Sequence, residues 1–125
     1  MNSAGIFSLA FQDERHGVAI GGDHTKPEQT GENLAFTRDG GRTWHKGSGF
    51  FPRGFRSAVS WVRTGDDWLL VAVGPSGSDV AAPDALWRKL DDEKYNALSV
   101  ARFDANAIWA AGPQGRIARM MQLPK

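Results

Sequence analysis

Val18-Ala19-Ile20-Gly21, Val71-Ala72-Val73-Gly74 and Trp109-Ala110-Ala111-Gly112 are three copies of one short pattern, each closing an apolar run. The last two continue alike, as Gly74-Pro75-Ser76-Gly77 and Gly112-Pro113-Gln114-Gly115. A second apolar segment precedes each copy: Ile6-Phe7-Ser8-Leu9-Ala10-Phe11, then Arg56-Ser57-Ala58-Val59-Ser60-Trp61, then Ala97-Leu98-Ser99-Val100-Ala101-Arg102-Phe103. Polar turns at 12–16, 63–67 and 104–106 separate the paired segments. The unit therefore reads strand, turn, strand, glycine turn, strand. Gly21 to Gly74 is a spacing of 53 and Gly74 to Gly112 one of 38; with the polar stretch 23–32 set aside as an inserted loop, the first becomes about 43. A period near 40 with three or four short strands per unit is the pattern of propeller blades.

The fold expected is all-β, a partial β-propeller of about three blades of antiparallel strands. One propeller segment would cover 1–125, with blades at approximately 5–48, 54–91 and 95–123. Strands are expected near 6–11, 17–22, 33–38 and 43–47, then 55–62, 68–74, 78–82 and 86–90, then 96–103, 107–112 and 116–122. One stretch has two readings. Over 83–94, Pro83 near the start and the Leu86/Leu90 pair at i, i+4 suit a helix, whereas repeat register asks for a strand. Trp44, Trp61, Trp87 and Trp109 fall where side chains would pack between blades.

Thr37-Arg38-Asp39-Gly40-Gly41-Arg42-Thr43-Trp44 has Ser/Thr-x-Asp-x-Gly-x-Thr-Trp at every specified position. It resembles the Asp-box of the bacterial neuraminidase repeat, found in sialidase-like propellers and in propellers of the photosystem II assembly-factor type. The likeness extends over nearly the whole chain, as the C-terminal part of such a propeller, through Phe55-Arg56-Ser57, Gly77-Ser78-Asp79-Val80 and Gly112-Pro113-Gln114-Gly115-Arg116. The resemblance implies a structural role for Thr37, Asp39, Gly41, Thr43 and Trp44, in which hydroxyl and carboxylate hold the donors of a tight hairpin turn. It also implies an exported parent protein. A worn copy sits in the second unit, where Asp84 to Trp87 spans three residues against five between Asp39 and Trp44.

Composition removes several chemistries. The chain has 125 residues, no Cys, and 15 Lys+Arg against 14 Asp+Glu, a net charge of +1. Disulfides, thiolate metal sites and thiol nucleophiles are absent, and the balanced charge argues against a nucleic-acid partner. No apolar run reaches the length of a membrane span, and the first residues carry no signal-peptide pattern. Gly74-Pro75-Ser76-Gly77 does not fit a dinucleotide fingerprint, so no cofactor is expected. His16, His24 and His45, with Asp23 and Glu28, show no metal-ligand spacing, and no metal is expected.

Two segments stand out as a recognition surface. The inserted loop holds Asp23, His24, Lys26 and Glu28, and the blade-to-blade segment Phe50-Phe51-Pro52-Arg53-Gly54-Phe55-Arg56 is expected to emerge beside it, with Phe55 buried and Arg53 and Arg56 exposed. The primary functional reading is a non-enzymatic scaffold binding a protein or ligand there. An alternative is a sialidase-like glycoside hydrolase on glycans, for which Tyr95 is the weak catalytic candidate and Arg53, Arg56 and Arg116 its available partners. A third reading is blades that only complete a ring whose site lies elsewhere. Fewer than four blades do not close a ring. The expected partners are therefore other blades of a longer chain, favoured by the first strand starting directly after Ser3, or a second copy in a homodimer, with a protein or glycan as possible ligand.

Overall fold

The computed structural model describes residues 4–27, 33–47, 51–83 and 85–120. Eleven strands in these residues form three antiparallel sheets. The first sheet runs β1 (Ala4–Phe11), β2 (Gly17–Asp23), β3 (Leu34–Thr37) and β4 (His45–Lys46), in that spatial order. The second has β5 (Ala58–Thr64), β6 (Asp67–Gly74), β7 (Gly77–Ala81) and β8 (Arg88–Asp91). The third has β9 (Ala97–Val100), β10 (Ile108–Gly112) and β11 (Arg116–Met120). Each is an up-and-down meander, and the first strands β1, β5 and β9 lie side by side. This is a partial β-propeller, as the repeat required.

Alternation along each strand divides its side chains between two neighbours. Val18 and Ile20 of the first sheet meet Val59, Trp61, Leu70 and Ala72 of the second. Val62, Val71, Val73 and Val80 leave by the opposite face of the second sheet to meet Ile108, Ala110 and Tyr95. The aliphatic residues in these seams are almost wholly removed from water, a gain of about 1.5–3 kcal/mol each. Polar bonds fix the alignment. Trp61 Nε1 donates to the Ala10 carbonyl at 3.0 Å across the first seam, and Ser57 Oγ to that of Asn96 at 2.9 Å across the second.

The repeated glycines mark equivalent places in space. A Cβ on Gly74 would lie 2.4 Å from the Phe55 carbonyl oxygen, and one on Gly112 2.3 Å from that of Lys94. In both cases the obstacle is the chain entering the innermost strand of the same sheet. The glycine carbonyls also receive the next sheet: Arg56 N–H donates to Gly21 O at 2.9 Å and Tyr95 N–H to Gly74 O at 3.2 Å.

One open reading is decided and two details differ from expectation. Over 83–94 the regular element is the strand β8, which pairs with β7 and drops Trp87 into the first seam. The third-sheet inner strand stops at Val100, because Arg102 (φ 51°) and Phe103 (φ 60°) turn left-handed and bring the Phe103 ring within 5.3 Å of Trp68. Trp44 and Trp109 are exposed rather than packed between sheets. Their faces have no neighbouring sheet among the described residues, and Trp44 instead donates from Nε1 to the Gly41 carbonyl and meets Phe11 edge-on.

Candidate functional site

The inserted loop and the connection between the first two sheets meet at the rim of the first seam. Asp23 opens the loop as a tight Asx turn, its Oδ1 accepting from Thr25 N–H (3.0 Å) and Thr25 Oγ1 (2.6 Å). The Pro27 carbonyl then accepts from Phe55 N–H at 3.0 Å and from Ser76 Oγ at 3.0 Å. Phe55 is buried, stacked edge-on against Phe7 at 4.8 Å and lying 6.5 Å from the His24 ring. Asn33 Nδ2 ties the Gly54 carbonyl from beneath at 2.6 Å. His24 and Lys26 are exposed on this platform. Glu28 and Phe50 lie outside the described residues.

Beneath the platform sits a charge cluster that sequence reading missed. Asp79, on β7 and fully buried, receives Arg53 Nε on Oδ1 at 2.9 Å and Arg56 Nε on Oδ2 at 2.9 Å. Arg53 N–H reaches Oδ2 at 3.2 Å, and Arg56 Nη2 lies 2.8 Å from the same oxygen as an ion-pair contact. Arg56 also donates to the Phe55 carbonyl and to Ser76 Oγ, both at 2.9 Å. The expectation of an exposed Arg56 is therefore corrected: it is 0% exposed, because its strand entry is pinned to Gly21 and its side chain points to the seam carboxylate. Burial pushes its guanidinium down from its ordinary value while Asp79 opposes the shift. Arg53 remains part-exposed, with Asp92 3.7 Å from its Nη1.

Tyr95 lies elsewhere, in the second seam with Val73 and Ala110. Burial first, and the Asp91 charge second, push its phenol up, so it stays neutral. The arginines considered with it are paired with carboxylates: Arg53 and Arg56 with Asp79, Arg116 with Glu93.

The turn from β3 to β4 is held by side chains. Thr37 Oγ1 accepts from Gly41 N–H (2.9 Å) and donates to Asp39 Oδ1 (2.9 Å); Asp39 accepts from Thr43 N–H (2.9 Å) and Thr43 Oγ1 (2.6 Å). Gly40 and Gly41 supply the positive φ that the turn requires (74° and 90°). Donation from the Thr43 hydroxyl, then from its N–H, lowers the Asp39 carboxyl from 3.8 to about 2. A depressed folded-state value stabilises the native chain above pH 3.8, and that contribution disappears as pH falls through about 2. Melting of the wild type followed from pH 5 down to pH 2 is thus expected to show a loss that Asp39→Asn lacks in part; parallel curves for the two proteins would exclude this role.

Meandering sheets laid side by side on their first strands, with glycine turns repeating between them, define the class: a segment of a β-propeller. Among solved structures the chain is similar to one described as "YCF48 bound to D1 peptide", with 20% identity and a TM-score of 0.56, over 93% of this chain and 37% of that one. At this identity the likeness shows the fold alone. The chain thus spans little more than a third of the neighbour's length. No protein-family model and no curated protein matches the chain. Among the described residues no helix is long and apolar enough to cross a membrane.

Proposed function

We propose that this chain is a non-enzymatic propeller segment that binds a protein partner in extended form across the loops at 23–27 and 51–56. The observation carrying this reading is the platform: His24, Lys26 and part of Arg53 face solvent while everything beneath them is fixed by Asp79, Ser76 and Phe55. A rim held this way loses little freedom when a partner settles on it, which favours binding. A peptide-bound propeller among its structural neighbours supports the same direction. In this reading the 37–44 turn is an Asp-box of the sialidase-like repeat, used only to close its hairpin. Its carboxylate is spent on Thr37 and Thr43, which supports a structural role. The neutral, buried Tyr95 is poorly suited to nucleophilic attack on a sugar.

The test is selection of random displayed peptides on the immobilised protein, with affinities of the selected peptides then measured by fluorescence anisotropy. Lys26→Glu with His24→Ala is expected to weaken them about 10-fold or more with unchanged melting, as loss of a rim contact and a central one would. Equal binding by wild type and variant would remove the proposed surface. Turnover of a fluorogenic glycoside panel that vanishes in Tyr95→Phe would replace the scaffold reading with the hydrolase one.

A further inference from the structure

The charge cluster in the first seam is out of balance. Asp79 serves Arg53 and Arg56 together, while Asp92, 3.7 Å from Arg53 Nη1, is also paired with Lys89. Among the described residues three cationic side chains thus share two carboxylates, an excess of one positive charge. Asp91 is turned to other donors, its Oδ1 accepting from Ser78 Oγ at 3.2 Å and from Glu93 N–H at 3.0 Å. The excess coincides with donors that lack acceptors. Arg56 uses Nε on Asp79 and Nη1 on the Phe55 carbonyl and Ser76 Oγ, but its Nη2, although 2.8 Å from Asp79 Oδ2, is not aligned for a hydrogen bond. Arg53 uses Nε on Asp79, and its Nη2 is buried without an acceptor even though the side chain as a whole is 42% exposed. That nitrogen lies over Gly77, where a Cβ would come within 3.1 Å of it.

An arginine has only donors to offer, and a buried charged donor without an acceptor costs more than a neutral one. In native proteins such a group is met by water or by an ion. An ion of negative sign does more than water here, because it also removes the excess charge from a seam where charges are weakly screened. We infer that a small monovalent anion, of the size of chloride or bromide, binds in this seam on the Nη2 groups of Arg53 and Arg56. Enclosure sets the size: both nitrogens are buried, so a phosphate group or the carboxylate of a large partner has no approach to them. Arg53 and Arg56 bracket Phe55 in the connection between the sheets, and an anion held by both helps Asp79 tie that connection to β7. The two sheets that wall the seam are both described, and the inference does not rest on the peptide-binding proposal.

Melting of the 125-residue chain in mixtures of sodium chloride and sodium gluconate at one ionic strength tests it, because screening is then constant and only the small anion varies. The wild type is expected to melt about 4 °C or more higher in chloride than in gluconate, the rise growing with chloride concentration as binding to the native state requires. Its chlorine NMR line should broaden, and added bromide should narrow it again. Arg53→Met leaves Arg56 and Asp79 as a one-to-one pair, so it is expected to fold and to lose both effects. Arg42→Met, which removes one exposed charge elsewhere, should keep them. If Arg53→Met does not fold, Arg56→Met/Asp79→Leu serves the same comparison, since it leaves no charge enclosed in the seam. Equal melting of the wild type in the two salts, or a chlorine line that stays sharp, would overturn the inference in favour of water, or of a carboxylate elsewhere in the chain, as the acceptor. A chloride effect of full size in the cluster variant would overturn it in favour of the general protein surface.

Discussion

Asp79→Ala is expected to lower the free energy of unfolding by about 3–5 kcal/mol, the range for removing one partner of a buried ion pair. The reason is an imbalance of charge. Two guanidinium groups share this one carboxylate, and Arg56 is 0% exposed. Without Asp79, Arg53 can swing to solvent, because it is already part-exposed, but Arg56 has no such route. Its remaining acceptors, Ser76 Oγ and the Phe55 carbonyl, are neutral. Replacing both charges, as in Arg56→Met/Asp79→Leu, is expected to cost less than Asp79→Ala alone, since no uncompensated charge is then left in the seam. Urea unfolding followed by tryptophan fluorescence decides it: a loss below about 1 kcal/mol for Asp79→Ala would mean that Arg56 finds water, and that the cluster does not hold the seam. The same substitution should release the 51–56 loop, because Arg53 N–H loses its acceptor.

Much of the fold was legible because propeller repeats write themselves into local sequence. Apolar segments with polar turns between them gave the hairpins, and the recurring glycines gave the register. Thr37 to Trp44 announced its turn through residue types that bond within eight positions. The two loops of the proposed binding rim stand out in the sequence for the same reason, each being a local departure from the repeat. Asp79 does not. It lies 26 and 23 residues from Arg53 and Arg56, in a stretch, Gly77 to Val80, that the sequence marks only by its family likeness, and only the fold brings the three together. Arg56 was misplaced by its charge: a lone arginine reads as a surface residue until its carboxylate is known. Phe7 was likewise missed as a neighbour of Phe55 and His24, because a bulge in β1 between Ile6 and Ser8 breaks the alternation that would have assigned its side. Trp44 and Trp109 show the reverse error. Their repeat positions were read as packing positions, yet packing also depends on whether a neighbouring sheet is there.

The glycine repeat itself supplies the other large effect. Gly74→Ala is expected to destabilise the chain by about 3 kcal/mol, the upper part of the range for forcing extra volume into a packed site. The added Cβ would stand 2.4 Å from the Phe55 carbonyl oxygen and 3.1 Å from Arg56 Cα, and both obstacles are backbone. A side chain in that position could rotate away, but this backbone is tied in place. Arg56 N–H is bonded to Gly21 O, and Ser57 N–H to Val73 O at 2.9 Å. Relief would therefore require β5 to move away from β6, disturbing the first seam and the Asp79 cluster together. Gly5→Ala is the matched control, because a Cβ there meets nothing within 4 Å and the residue is not at positive φ. Its effect should stay within about 0.5 kcal/mol. If chemical denaturation finds the two substitutions equally mild, the recurring glycine is not maintained by close backbone approach. If Gly74→Ala is severe and Gly112→Ala, with its Cβ 2.3 Å from the Lys94 carbonyl oxygen, is severe as well, the repeat in the sequence and the strand entries in space share one steric cause.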